Sequence, residues 1–119
     1  MNREQFLKMR ATKTVSVDVQ GFGEVKMREL PESLRVREFD TWLRPGDKIH
    51  KQRQLDARLK IISLCVVGDD GEPYLTEDDF PQLREIPASV ISRLAEVAMS
   101  LAGLSDEDVE SKLKKTSDD

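Results

Sequence analysis

The sequence predicts an α+β fold in which an N-terminal β-hairpin packs on a small bundle of three to five helices. Valines alternate with polar residues from position 15 to 20, which is the period of a half-buried strand. A pair of glycines follows, and three later segments carry apolar residues at helical spacing. Since 119 residues is the size of one domain, we expect residues 1–104 to form a single globular domain.

A short helix and the hairpin are predicted in the first thirty residues. The helix covers residues 2–9, where Phe6 and Met9 lie three positions apart. The first strand is centred on Val17, and the second runs from about position 24 to 30 with Val25 and Met27 on one face. A turn between the two strands is predicted at Gly21-Phe22-Gly23. Two glycines suit a tight connection with positive φ. A phosphate-binding loop would also need a third glycine, a lysine and a following helix.

A helix is predicted from Pro31 to position 43 or 44, before the Pro45-Gly46 pair. Its apolar residues recur at helical spacing: Leu34, Val36, Phe39, Trp42 and Leu43. Trp42 is interpreted as a core residue, because a small core uses its large side chains. The alternative is that Trp42 is an aromatic anchor on the surface.

A long helix is predicted from Lys48 to about position 66, with one apolar face formed by Leu55, Leu59, Ile62 and Val66. The first half of this helix is basic, so a nucleic-acid-binding stripe through Lys60 is one interpretation. A solvated helix face is favoured, because the pI is about 5.1 and no aromatic residue interleaves with the basic ones. His50 is the only histidine in the sequence. A single histidine excludes a histidine metal cluster, and we expect the His50 side chain to be exposed.

Residues 68–73 form the strongest turn signal in the chain, Gly-Asp-Asp-Gly-Glu-Pro, with Gly71 completing an Asp-Gly pair. The flanks, 65–67 and 73–75, are expected to form a small hairpin. A calcium loop is excluded, because a loop with Gly71 at its sixth position has Val66 at its first position, which needs a carboxylate. Thr76 is then expected to cap a short helix, with three carboxylates in its first turn.

The clearest helix runs from Pro87 to Ala102, with a continuous apolar stripe: Val90, Ile91, Leu94, Val97, Ala98, Leu101 and Ala102. Gly103 stands where a left-handed C-cap is expected, and Leu104 can fold back on the stripe. Residues 105–119 are expected to form a short C-terminal helix and a frayed tail.

Composition and charge exclude several classes of protein. The net charge is −4, but residues 1–60 carry 14 basic and 9 acidic side chains and residues 61–119 carry 5 and 14. The two halves could neutralise each other within one fold, or meet head to tail between copies. No apolar run approaches the ~20 residues of a membrane span, and no apolar signal core begins the chain. We therefore expect a cytoplasmic protein that does not bind a membrane, with Cys65 acting as a small buried hydrophobe.

The sequence contains no nucleophile beside a base, no metal-ligand spacing and no complete phosphate loop. We expect neither an enzyme, nor a cofactor, nor a bound metal. The residues alone therefore indicate a small cytosolic α+β binding protein, and its aromatic side chains Phe22, Trp42 and Tyr74 are the candidates for partner contact.

The order of these signals resembles the tail assembly chaperones of long-tailed bacteriophages and prophages. The matching elements are the segment 17–30, which contains Gly21-Phe22-Gly23-Glu24-Val25 and Arg28-Glu29-Leu30, the segment 68–79, the helix 90–101 and the break at 103–105. No single motif is specific, and the order and spacing carry the resemblance. One departure is that Tyr74 precedes Leu75 rather than standing next to Thr76.

The resemblance implies a chaperone that binds the tape measure protein, keeps it soluble, helps recruit tail tube subunits and is absent from the mature virion. It also implies self-association into an oligomer. The sequence offers two mechanisms for this, a contact between the basic first half and the acidic second half of a neighbour, or an apolar contact through Trp42, Phe22 or Tyr74. Two alternatives stay open: an adaptor or regulatory protein-binding module, and a nucleic-acid-binding regulator that uses the Lys48–Lys60 helix. A tape measure gene immediately downstream would favour the chaperone, and a salt-dependent gel shift would favour the regulator.

Overall fold

The predicted hairpin is present and forms two strands of a three-stranded antiparallel sheet. The computed structural model describes residues 1–43 and 50–104. A short helix, α1 (Arg3–Leu7), precedes strand β1 (Thr14–Val19), which pairs with β2 (Gly23–Arg28). The inward face of the hairpin includes Val17 and Met27, both buried. With helices packed on this sheet, the α+β class predicted from the sequence is confirmed.

The third strand of the sheet, β3, comprises only Val66–Val67 and pairs with β2, so that the strand order is β1-β2-β3. On its other side Val67 bridges Pro73, and the Gly68 amide donates to the Glu72 carbonyl at 2.9 Å. The small hairpin expected at 65–75 therefore exists as a single bridge. The pairing of β3 with β2 was not predicted, because such long-range pairing leaves no periodic signal in a two-residue strand.

The segment after the hairpin is helical but only in part an α-helix. Helix α2 (Glu32–Leu34) continues into a π-helix (Arg35–Asp40), a rare form with one extra residue in the turn. The Thr41 amide and hydroxyl both donate to the Val36 carbonyl, at 2.9 Å each. Trp42 is buried, which agrees with the prediction that it is a core residue. Val36, which was placed on the apolar stripe, is exposed. Pro45-Gly46 lies outside the described residues.

The long helix predicted from position 48 to 66 is instead two helices, α3 (His50–Leu55) and α4 (Ala57–Cys65). They are separated at Asp56, where ψ is 8°. Leu55 was predicted on the apolar face and is 78% exposed, whereas Lys60 was predicted on a solvated face and is buried. Both predictions were wrong because Asp56 and Lys60 bind partners inside the fold. The predicted start at Lys48 lies outside the described residues, and so does the side chain of His50.

The second half of the described chain contains α5 (Phe80–Leu83) and α6 (Ala88–Leu101). A turn of 3₁₀ helix (Glu77–Asp79) leads into α5 and is capped by Thr76, whose hydroxyl accepts from the Asp78 amide at 3.3 Å. Helix α6 is terminated by Gly103, two residues beyond its end, where φ is +75°, and the Leu104 amide donates to the Met99 carbonyl at 2.7 Å. This is the glycine C-cap that the sequence indicated. Residues 105–119 lie outside the described residues.

The core lies between the inner face of the sheet, α4 and α6. Helix α6 packs against both α4 and β2, and the Leu30 amide donates to the Leu101 carbonyl at 3.2 Å. The C-terminal end of α6 therefore lies beside the end of β2, and its N-terminal half lies towards the hairpin tip. Of the helices in the described part of the chain, none combines the length and apolarity that crossing a bilayer would require.

Candidate functional site

An apolar groove lies between the hairpin tip and the N-terminal half of α6. Two adjoining cavities, of about 420 and about 380 Å³, flank the side chain of Phe22. Both cavities are lined by the same apolar residues: Val19, Phe22, Pro87, Val90 and Leu94. We call this surface the hairpin-tip groove. Its volume and apolar walls suit a side chain of a partner rather than a water molecule.

Phe22 is held at the edge of this groove by the turn between β1 and β2. Gly21 and Gly23 have φ angles of +86° and +113°, values that glycine adopts without steric cost. The Phe22 amide donates to the Val19 carbonyl at 2.9 Å, which closes the turn. The ring is 83% exposed. A phenylalanine this exposed at a hydrogen-bonded turn is a feature of binding surfaces more than of folded cores.

Acidic side chains predominate around the rim of the hairpin-tip groove. Asp18 and Glu24 come from the two strands, and Glu85 comes from the segment before α6. Arg93 supplies the one cation among the described residues that line the groove. The rim therefore favours a partner that carries positive charge beside an apolar face.

A second groove adjoins the first on the other side of Ile86. It has a volume of about 360 Å³ and lies between α3, α4 and the start of α6. Its apolar lining includes the exposed Leu55 together with Leu59, Leu83 and Ile91. Because Ile86 lines both grooves, one apolar surface continues from Phe22 to Leu55.

A charged pair forms one wall of the second groove. Asp56 is buried and accepts two hydrogen bonds from Arg84, at 3.1 and 2.6 Å, and one from Gln52 at 3.0 Å. Burial alone would raise the pKa of Asp56, but the hydrogen bonds from Arg84 and Gln52 and the charge of Arg84 outweigh it and hold the pKa below its usual range. The carboxylate thus stays charged at neutral pH and fixes α5 against the start of α4.

The three aromatic candidates from the sequence do not meet in one site. Trp42 is buried, and its indole nitrogen donates to the Glu77 carboxylate at 2.6 Å. The charged groups of Arg53 and Lys60 each lie 5.4 Å from the Trp42 ring centre, a cation–π arrangement. Tyr74 is 59% exposed. Of the three, only Phe22 lines the hairpin-tip groove.

Sequence reasoning did not identify the groove residues Glu24, Glu85 and Arg93. The groove exists only because α6 lies against the hairpin tip, a tertiary contact that leaves no local pattern. The part of the sequence that could have indicated the groove is the edge of the α6 apolar stripe at Val90 and Ile91. Within the described ranges, no three histidine, cysteine or carboxylate side chains are grouped to hold a metal ion.

The fold is similar to that of a solved structure, the "Structure of bacteriophage HK97 tail assembly chaperone". The TM-score is 0.54 at 24% sequence identity, and the match covers 82% of this chain and 95% of that chain. The resemblance that the sequence indicated is thereby confirmed at the level of the fold. No protein-family model matches this sequence, and no curated protein matches it significantly.

Proposed function

We propose that this chain is a phage tail assembly chaperone that binds the tape measure protein and keeps it soluble before assembly. The observation that carries the proposal is that the chain shares its fold with a tail assembly chaperone over 95% of that chain's length. The order of motifs in the sequence supports the same proposal independently. The role is a binding role without catalysis, in the host cell cytoplasm.

The physical requirement of such a role is a surface that covers exposed apolar helix. A tape measure protein is a very long, helical and partly apolar chain, and an uncovered apolar helix face aggregates. The continuous surface from Phe22 to Leu55 offers apolar walls, and its hairpin-tip end carries an acidic rim. Contact with a helix laid in a groove would bury both apolar faces. We further propose that the bound chaperone helps recruit tail tube subunits and leaves before the virion is complete.

Co-expression with the tape measure protein tests this proposal. We expect the chain to raise the soluble fraction of the tape measure protein, relative to co-expression with an unrelated acidic protein of similar size. An unchanged soluble fraction would remove the main support for the chaperone role.

Single variants then test the contact surface. Phe22→Ser and Tyr74→Ser remove exposed aromatic candidates and leave the core intact. Val36→Ser is the matched control, because Val36 is also an exposed apolar residue but lies on the π-helix. We expect Phe22→Ser or Tyr74→Ser to solubilise less tape measure protein than Val36→Ser does.

A further inference from the structure

The two grooves carry opposite charge. The hairpin-tip groove is lined by three carboxylates and one guanidinium, so its net charge is negative. In the second groove the charges of Asp56 and Arg84 cancel in their ion pair, and the guanidinium of Arg58 remains as a net positive charge. The continuous surface from Phe22 to Leu55 is therefore acidic at one end and basic at the other.

The acidic end of this surface contains two carboxylates that face each other. Asp18 and Glu24 are direct partners on β1 and β2, and both are exposed. Like charges placed opposite each other destabilise a pair of strands. In the described part of the chain neither carboxylate forms an ion pair that would offset this repulsion. A cationic side chain of a partner would relieve it.

The basic end of the surface is held in place by a neutral hydrogen bond. The Arg58 guanidinium donates to the hydroxyl of Ser92 on α6 at 3.1 Å, and Arg58 is exposed. Among the described residues no carboxylate forms an ion pair with Arg58. The exposed Leu55 lines the same groove. This end therefore combines an apolar side chain with a cation that lacks a counter-charge.

The cavities between the two ends suit apolar side chains on one face of a helix. Two cavities flank Phe22, and a third lies beside Leu55. A helix laid in a groove places side chains in such cavities from positions i, i+3 or i+4, and i+7. Apolar contacts of this kind fit either direction of the helix almost equally, because they depend on area. The charges at the two ends distinguish the directions.

We propose that this surface binds an amphipathic helix in one direction only. Lysine or arginine side chains of the bound helix lie beside Asp18 and Glu24, and a carboxylate side chain lies beside Arg58. The reverse direction brings like charges together at both ends. The inference rests on the proposed function for the source of the helix, which is the tape measure protein. The direction of binding is a property of the surface itself.

The first test compares two synthetic peptides in titrations of the full chain at low salt. Each is an amphipathic helix of about 18 residues, roughly 27 Å long. The segregated peptide carries lysines in one half and glutamates in the other, and the mixed peptide has the same composition with the charges alternating. Each exposed ion pair contributes about twofold in affinity, so three contribute about eightfold. Attraction and repulsion cancel for the mixed peptide, so we expect the segregated peptide to bind about eightfold more tightly.

Charge reversal on the protein tests the assigned ends. Asp18→Lys combined with Glu24→Lys makes both ends basic and should abolish the preference for the segregated peptide. Adding Arg58→Glu should restore the preference, because the peptide can then bind turned round. Asp69→Lys combined with Glu72→Lys is the matched control: it changes the net charge equally, at exposed positions that line neither groove. We expect this control to retain the wild-type preference.

A spin label on the lysine end of the segregated peptide measures the direction itself. In the wild type the label should broaden the NMR signal of the Gly23 amide and leave that of Leu55 sharp. In the variant with all three charges reversed, the Leu55 signal should broaden instead. Unfolding curves would show that each variant is folded.

Three results would overturn the proposal. The two peptides could bind the wild type with equal affinity. Neither could bind, which is also the expected result if a second copy of the chain fills the surface. The label on the lysine end could broaden Leu55 in the wild type. These measurements contain no tape measure protein, so the directional inference and the chaperone proposal can fail separately.

Discussion

Replacing Leu94 by alanine should lower the free energy of unfolding by about 2–3 kcal/mol. Leu94 is 7% exposed and lies midway along α6, where it faces the hairpin. Removing three buried carbons costs about 0.8 kcal/mol each, or about 2.4 kcal/mol. The additional cost of a cavity should be small, because Leu94 borders the hairpin-tip groove and water can enter the space that the side chain leaves. The expected loss therefore lies at the low end of the ~2–5 kcal/mol range for leucine-to-alanine changes in cores.

The measurement is the denaturant midpoint of unfolding, at an unchanged slope of the unfolding free energy against denaturant concentration. Leu55→Ala is the matched control. The control makes the same chemical change at a side chain that is 78% exposed, so we expect a change within about 0.5 kcal/mol. Equal effects of the two substitutions would refute the assignment of Leu94 to the core. A Leu94→Ala midpoint at the wild-type value would indicate that this face of α6 is covered only when a partner binds.

Two further predictions concern ionisable groups. Because the pKa of Asp56 is lowered in the folded state, its contribution to stability is present above its unfolded pKa of about 3.9 and is lost as the pH falls through the lower folded value. We expect Asp56→Asn to be less stable at pH 7 and to lose less stability than the wild type below about pH 4; parallel stability curves would contradict this. Burial raises the pKa of Cys65 to about 12, so a thiol reagent at pH 8 should label the native chain far more slowly than the unfolded chain, and equal labelling rates would contradict its burial.

The parts of the fold predicted correctly are those whose signal is local. The alternation around Val17, the positive φ of Gly21 and Gly23 and the C-cap at Gly103 each depend on a few adjacent residues and the backbone they favour. The apolar stripe of α6 was also predicted correctly, because its helical period repeats over about four turns.

The parts predicted wrongly depend on partners that are distant in the chain. Asp56 was hidden within an apparently continuous helix because its partner, Arg84, lies 28 positions later. Lys60 was predicted to be solvated because it belongs to the basic first half of the predicted long helix, yet it is buried beside Trp42 and Glu77. For the same reason, the aromatic side chain Phe22 could be proposed for partner contact from sequence, whereas the groove around it could not.

The pairing of β3 with β2 has a consequence for the order in which the chain folds. Met27 and Val66 are partners, and about 40 residues must be closed into a loop before their strands can meet. A hairpin of two strands is only marginally stable in water, so β1 and β2 gain their full stability when α4 delivers β3 to their edge. Sheet and helices should therefore open as one unit, and the backbone amides of Met27 and Ile62 should exchange with solvent at closely similar opening free energies.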